Sequence, residues 1–452
     1  MIPKNIFRAN DVRGIYGKDI NEDLTEKIGK SFGTIIGENK TIVVGKDGRS
    51  SSGKLKDSFI SGLISAGCSV IDVGTVTTPV LYFSVPKLKA DAGTIITSSH
   101  NPKEWNGFKL CDKTGLIYHA DTIQKLRENI EKDNFNSPTK IGDIKKYDNA
   151  LEDYENFVLE KINTGKKLRI VVDSGNGVAT LIAPQLLRKC GHDVIEINKE
   201  LDGEFPGRGP DPTKENVLNE LKETVKKENA DLGAAYDGDG DRVVFVDNLG
   251  REINSGSLII MILAKDILEK QKNAKIVFDC CCSLAVDDFI RAYGGIPIRE
   301  KVGHSFIIHR MQEEDATFAG EYSNHFYFPE IPGFDDAVYG SLKLAEVLSK
   351  TNERFSEIID SVPKHFYKSD WEFPCPDEKK FGIIDNIKEK MKLSGHQVSE
   401  IDGVKVLFDD GWVLWRASNT RPVLLAFLEA KTEERFKELS KLAEKEMLSA
   451  MK

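Results

Sequence analysis

The residues with the clearest chemical content are three aspartates at alternate positions, Asp237-Gly238-Asp239-Gly240-Asp241, followed by Arg242. The intervening glycines let the backbone curl round a small ion. An all-oxygen donor set selects a hard cation, and magnesium is the usual one where phosphate is handled. Three carboxylates in so short a span repel one another unless something compensates them. An EF-hand calcium loop needs a glutamate farther on, whereas Val243-Val244-Phe245-Val246 returns at once to a strand pattern. Ser99 stands beside His100 at the end of another apolar run. Such a pair is a common turn, and no Gly-x-Ser-x-Gly elbow surrounds it. Beside magnesium, however, a serine oxygen suits phosphoryl transfer. Lys109 is a proton donor or acceptor if burial near other cations lowers its pKa.

Two further loops read as binding elements. Arg416-Ala417-Ser418-Asn419-Thr420-Arg421-Pro422 gathers two guanidinium groups, two hydroxyls and an amide, which makes a phosphate cradle as readily as a polar turn ended by proline. Glu321, Ser323 and His325 alternate, so an extended conformation would aim all three at one ligand. Carboxylate, hydroxyl and imidazole suit the adjacent hydroxyls of a sugar, although the spacing also fits an ordinary polar loop.

The elements that must position these loops repeat. A strand, a helix ending at glycine and a second strand recur from Ile42, Ile170 and Ile276, with second strands around Val70, Val194 and Ile296. Third strands around Ile95, Ala234 and Ala319 each open into one of the polar loops. Strands alternating with helices at this spacing mark crossover units of a mostly parallel sheet, whose ligands sit at the carboxyl ends of the strands. The last part differs: strands near Val404, Trp412 and Leu424 follow one another through tight turns between two helices, 377–393 and 433–447. The expected fold class is therefore α/β: three similar α/β domains with mixed, mostly parallel sheets plus a C-terminal α+β domain, around a central active-site cleft. Expected boundaries are 1–150, 151–253, 254–365 and 366–452, carrying the serine, metal, sugar and phosphate loops in turn.

Composition agrees with several domains. The 452 residues are 40% hydrophobic and 30% charged, with a formal net charge of -9. An acidic chain is a poor general binder of nucleic acid and must concentrate its cations where it holds phosphate. The longest apolar run, Leu258 to Ala264, is far short of the ~20 residues that cross a bilayer, so no membrane partner is expected. The N-terminal stretch lacks the apolar core of a secretory signal. Seven cysteines without regular spacing, three of them at 280–282, suggest reduced thiols in the cytoplasm.

Taken in order, Thr97-Ser98-Ser99-His100-Asn101-Pro102, Asp237 to Arg242, Gly320-Glu321-x-Ser323-x-His325 and Arg416-x-Ser418-Asn419-Thr420 resemble the α-D-phosphohexomutase superfamily. Phe7-Arg8-x-x-Asp11-x-Arg13-Gly14, Gly45-x-Asp47-x-Arg49 and Gly303-His304-Ser305 match as well. The resemblance spans essentially the whole chain, and Phe205-Pro206-x-x-x-Pro210-Asp211-Pro212 points to the phosphomannomutase/phosphoglucomutase branch. It implies a phosphoserine at Ser99 and Mg2+ held by Ser99, Asp237, Asp239 and Asp241. Arg13, His100, Lys109 and Arg242 would surround the transferring phosphate. His304, Glu321, Ser323 and His325 would hold the sugar, and Arg416, Ser418, Asn419, Thr420 and Arg421 the phosphate that is not reacting. The implied reaction interconverts hexose 1-phosphate and hexose 6-phosphate, of mannose or glucose, through a hexose 1,6-bisphosphate, in a monomer or homodimer whose partner is a small sugar phosphate.

Four positions depart from the family pattern. Asn10 replaces the usual tyrosine, Asn324 a glycine, and Cys281 and Ile308 frequent lysines. The missing tyrosine and lysines motivate a reading as a non-catalytic sugar-phosphate-binding paralogue. A phosphoglucosamine mutase is a same-family alternative, against which the Gly-Glu-x-Ser-x-His loop speaks. A phosphatase that lets water take the phosphoryl group is the third.

Overall fold

The structure, a computed structural model, describes residues 2–8, 11–118, 120–331, 334–418 and 421–452. Its contacts divide the chain into two compact units, residues 1–259 with 323–359, and residues 260–322 with 360–452.

The first unit holds two mixed sheets. In one, Thr41–Lys46 pairs in parallel with Ser69–Thr75 and Ala92–Ile96, and Ala92–Ile96 pairs antiparallel with Trp105–Asp112. Ala92–Ile96 is buried throughout, which explains its unbroken apolar character. Helices Glu22–Ile36 and Ser52–Ser65 pack Ile28, Phe32, Leu55 and Phe59 into a core shared with Val44, Ile96 and Phe108. Asn21 starts the first of these helices by accepting the Leu24 N–H at 2.9 Å, with Glu22 and Asp23 favourably placed in its first turn. The second sheet repeats the plan: Arg169–Asp173 lies parallel to Asp193–Ile197 and Leu232–Tyr236, and Leu232–Tyr236 forms a hairpin with Val243–Asp247. The three aspartates are the loop of that hairpin. Along the chain, the helix Ala150–Leu159 joins the two sheets.

In the second unit Lys275–Asp279 lies between parallel partners Ile296–Glu300 and Phe318–Gly320. The last sheet runs antiparallel in the order Phe366–Pro374, Val423–Ala430, Gly411–Ala417, Val404–Phe408, Gln397–Ser399. Helices Asp377–Leu393 and Glu433–Ala450 cover one face through Ile387, Met391, Leu439 and Met447, against Val413, Trp415 and Leu424. Trp412, Leu414, Leu425 and Phe427 on the other face pack against Cys280 and Cys281. Burial on both faces accounts for the continuous apolar runs of these strands. The Trp415 ring is fully buried and its Nε1 donates to the Ala443 carbonyl at 3.0 Å, so truncation to alanine should cost about 3–5 kcal/mol.

The two expectations that lean on side-chain spacing divide here. The strand–helix–strand repeats appear in both units. The sugar loop, by contrast, is a turn over residues 322–324, with Asn324 in the left-handed region at φ 66°, so Glu321, Ser323 and His325 do not alternate along an extended segment. Asparagine tolerates that conformation better than most residues, and one left-handed residue reverses the chain before a two-residue pattern can develop.

Candidate active site

Ser99 follows the buried strand Ala92–Ile96 and adopts φ 49°, a left-handed conformation that is uncommon outside glycine and strained for serine. The strain is held by Arg49, a fully buried side chain. Its Nη2 donates to the carbonyls of Ser99 and Asn101, both at 2.7 Å, and its Nη1 to those of Pro102 at 2.8 Å and Trp105 at 3.1 Å. Asp47 anchors the guanidinium through Nε at 3.1 Å. Thr97 Oγ1 accepts the Ser99 N–H at 3.0 Å. Ser99 Oγ thereby points at the acidic loop, donating to Asp237 Oδ2 at 2.7 Å, and lies 3.1 Å from His100 Nδ1.

The acidic loop is built to receive it. Gly238 passes so close that a Cβ there would lie 2.6 Å from the Ser99 carbonyl, and Gly240 takes φ 76°. Asp237 Oδ1 accepts the N–H groups of Gly240, Asp241 and Arg242 at 2.9, 3.1 and 3.3 Å, which fixes the curl of the loop. Asp239 Oδ2 accepts from Thr78 Oγ1 at 2.6 Å and from Lys109 Nζ at 2.7 Å. Lys109 also pairs with Asp241 Oδ2.

All three aspartates are buried, and ligand atoms from each lie within 4.8 Å of one another. Asp239 Oδ1 and Asp241 Oδ1 are buried without a hydrogen-bond partner among the described residues. Burial, then Asp241 and Asp239, drive the Asp237 pKa well above the carboxylate range. Burial pushes Asp241 the same way, but Lys109 and His325 outweigh it and hold it well below. These unpartnered carboxylate oxygens fit a hard divalent cation.

Lys109 corrects an expectation. Its direct partners are the carboxylates of Asp239 and Asp241 rather than cations. Burial disfavours its charge, yet Asp239 and Asp241 prevail and raise its pKa above the ordinary lysine value. It is a fixed positive charge here. His100 moves oppositely: burial, then Arg242 and Arg13, hold its pKa well below the usual value, so the ring is neutral near pH 7. Arg13 is tied to Asp11 at 2.5 Å and donates to Asn101 Oδ1 at 3.1 Å.

His325, expected with the sugar, sits against the acidic loop. Its Nε2 accepts from Arg242 Nε at 3.1 Å and is 3.6 Å from Asp241 Oδ1, and its Nδ1 is 2.9 Å from Ser323 Oγ.

In the second unit Asp279 ends its strand by accepting the N–H groups of Cys281 and Tyr322, both at 2.6 Å, so it ties the cysteine loop to the segment carrying the buried Glu321. Burial and Glu321 raise its pKa to about 6. His304 opens the helix His304–Glu313. Arg416 is buried, and its Nε donates to Asp402 Oδ2 at 2.9 Å. The Arg421 N–H donates to Ser418 Oγ at 3.1 Å, while the Arg421 guanidinium pairs with Glu372. Asn419 and Thr420, like the departure at Asn10, lie outside the described residues. The departures Cys281 and Ile308 are both buried.

Sequence reading assigned no role to Arg49, Thr78, Asp279 or Asp402. Arg49 stood in a matching motif, which was a usable signal. The others act through tertiary contacts that no local spacing reveals.

A strained serine aimed into a buried acidic triad, at the ends of strands in mixed α/β sheets, defines a phosphoryl-transfer enzyme. The chain belongs to the phosphoglucomutase/phosphomannomutase family, whose alpha/beta/alpha domains I, II and III and C-terminal domain match residues 4–137, 145–250, 255–366 and 372–445. It is accordingly an isomerase of the phosphohexomutase type, an intramolecular phosphotransferase. It is 39% identical over 436 residues to a phosphomannomutase/phosphoglucomutase of Pseudomonas aeruginosa, covering 96% of this chain and 93% of that one. A phosphomannomutase of Methanocaldococcus jannaschii is 38% identical over 440 residues, covering 96% and 95%. The crystal structure of a phosphoglucomutase/phosphomannomutase family protein from Burkholderia thailandensis superposes with a TM-score of 0.91 at 32% identity, covering 100% and 98%. Among the described residues no helix is long and apolar enough to cross a membrane.

Proposed function

We propose that this enzyme interconverts the 1- and 6-phosphates of mannose, glucose or both, through a phosphoserine at Ser99 and a hexose 1,6-bisphosphate. The observation that carries the reading is Ser99 Oγ, held at φ 49° and 2.7 Å from Asp237 by a backbone that Arg49 clamps. In the first half-reaction the Oγ–phosphorus bond of phosphoserine breaks as the phosphorus bonds to a sugar hydroxyl oxygen. The hydroxyl proton is handed on to Ser99 Oγ, and neutral His100, with Nδ1 at 3.1 Å from that oxygen, is placed to pass it. The second half-reaction reverses these steps with the other phosphate of the bisphosphate.

Asp237, Asp239, Asp241 and a Ser99 oxygen would hold Mg2+, which supplies charge neutralisation to the phosphoryl oxygens. Lys109, Arg13 and Arg242 add fixed positive charge. Glu321, Ser323, His325 and His304 hold the sugar, and Arg416, Ser418, Asn419, Thr420 and Arg421 hold the phosphate at rest. The family matches and the repeat pattern support a division near 1–150, 151–253, 254–365 and 366–452. Seven free cysteines support a reducing, cytoplasmic setting, and the chain acts as a monomer or homodimer.

The test is purified protein with magnesium, a trace of hexose 1,6-bisphosphate and, in parallel, mannose, glucose or glucosamine 1-phosphate. Formation of mannose or glucose 6-phosphate is expected. No 6-phosphate from any sugar, or stoichiometric free phosphate instead, overturns the reading.

A further inference from the structure

The loop between strands Gly411–Ala417 and Val423–Ala430 is closed by a side chain from outside it. Lys380, in the first turns of the helix Asp377–Leu393, is buried. Its Nζ donates to the Ser418 carbonyl at 2.5 Å and to the Arg421 carbonyl at 3.3 Å. One ammonium thus binds both ends of the four-residue segment 418–421. The same nitrogen pairs with Asp377 Oδ1 at 2.8 Å. Ser418 N donates to the Val423 carbonyl at 3.1 Å and Arg421 N to Ser418 Oγ at 3.1 Å, so the base of the loop is pinned by its own backbone while Lys380 draws two carbonyls to one side.

Carbonyl oxygens are the groups an anion must not meet. Binding two of them to a buried ammonium occupies acceptors that would otherwise repel a phosphate. We propose that Lys380 is a positioning residue for phosphate recognition, fixing Ser418 and Arg421 of the 418–421 loop through their carbonyls without touching the substrate. This rests on the assignment of that loop to the non-reacting phosphate.

The test compares wild type, Lys380→Met and Lys380→Arg by steady-state kinetics with glucose 1-phosphate and mannose 1-phosphate, by competitive inhibition with inorganic phosphate, and by thermal melting. Lys380→Met is expected to raise KM and the phosphate inhibition constant together by roughly tenfold, with kcat changed less than about twofold, and Lys380→Arg to recover most of the loss. A folded Lys380→Met with unchanged KM and phosphate inhibition overturns the proposal, because a merely structural lysine lowers the melting temperature alone. Where Lys380→Met does not fold, Asp377→Asn decides: loss of the carboxylate that orients Lys380 should raise KM and the phosphate inhibition constant together, and unchanged values overturn the proposal. A wild-type protein without mutase activity would sink the underlying site assignment instead.

Discussion

The serine region of the first unit and the phosphate loop of the second solve opposite electrostatic problems. Around Ser99 the chain buries Asp237, Asp239 and Asp241 against Lys109, and leaves Asp239 Oδ1 and Asp241 Oδ1 without a hydrogen-bond partner among the described residues. Around Ser418 it places Arg416 and Lys380, each buried and each already matched to a carboxylate of its own, Asp402 and Asp377. The two oxygens of the first site suit a hard cation. The second carries its own counter-ions, so its arginine and lysine stay oriented before any phosphate arrives. On the proposed assignment, the region that performs the chemistry leaves oxygens open for a cation, whereas the region that grips phosphate holds its cations in place with carboxylates.

The comparison breaks most visibly at the serine. Ser99→Ala removes the proposed phosphoryl carrier and should lower kcat by at least about a thousandfold, measured in the mutase assay, with phosphate absent from the intact mass. Asp241→Asn should cost about a hundredfold or more and raise the magnesium concentration needed for half-maximal rate, read from a metal titration after chelation. By contrast Asp402→Asn, which removes the charge orienting Arg416, should raise KM for the hexose phosphate roughly tenfold while leaving the magnesium requirement unchanged. If both substitutions shifted KM and metal dependence alike, the division between chemistry and grip would fail.

The smallest effect belongs to Asp279. Its folded pKa of about 6 lies above the ordinary 3.8, so between those values the folded protein binds more protons than the unfolded chain. Its contribution to stability is therefore fully present below the lower value and is lost as pH rises through about 6. Asp279→Asn should flatten that part of the stability profile, by at most about 3 kcal/mol, in urea titrations between pH 4 and 7.

Much of this was legible before any coordinates. Alternating aspartates, glycine-ended helices and strands of one polarity carry local, periodic information, and they located the metal loop, the repeated units and the two-helix cover of the last sheet. Lys109 was misjudged because its pKa depends on which charges the fold brings near it, and antiparallel pairing of two strands set it opposite Ile95, beneath the acidic loop. The sugar loop was misjudged because one left-handed residue, Asn324, cancels a two-residue alternation. Asp279, Lys380 and Asp402 escaped notice for a third reason. They bond to backbone groups or side chains far along the chain, and nothing in their own neighbourhood marks them.

Arg49 has a consequence for how such an enzyme diversifies. Four carbonyls between Ser99 and Trp105 report to a single guanidinium, so an inserted or deleted residue in that stretch would detach the serine from its mount rather than merely lengthen a loop. Directed-evolution libraries should accordingly leave the 97–105 stretch at fixed length and spend their variation elsewhere.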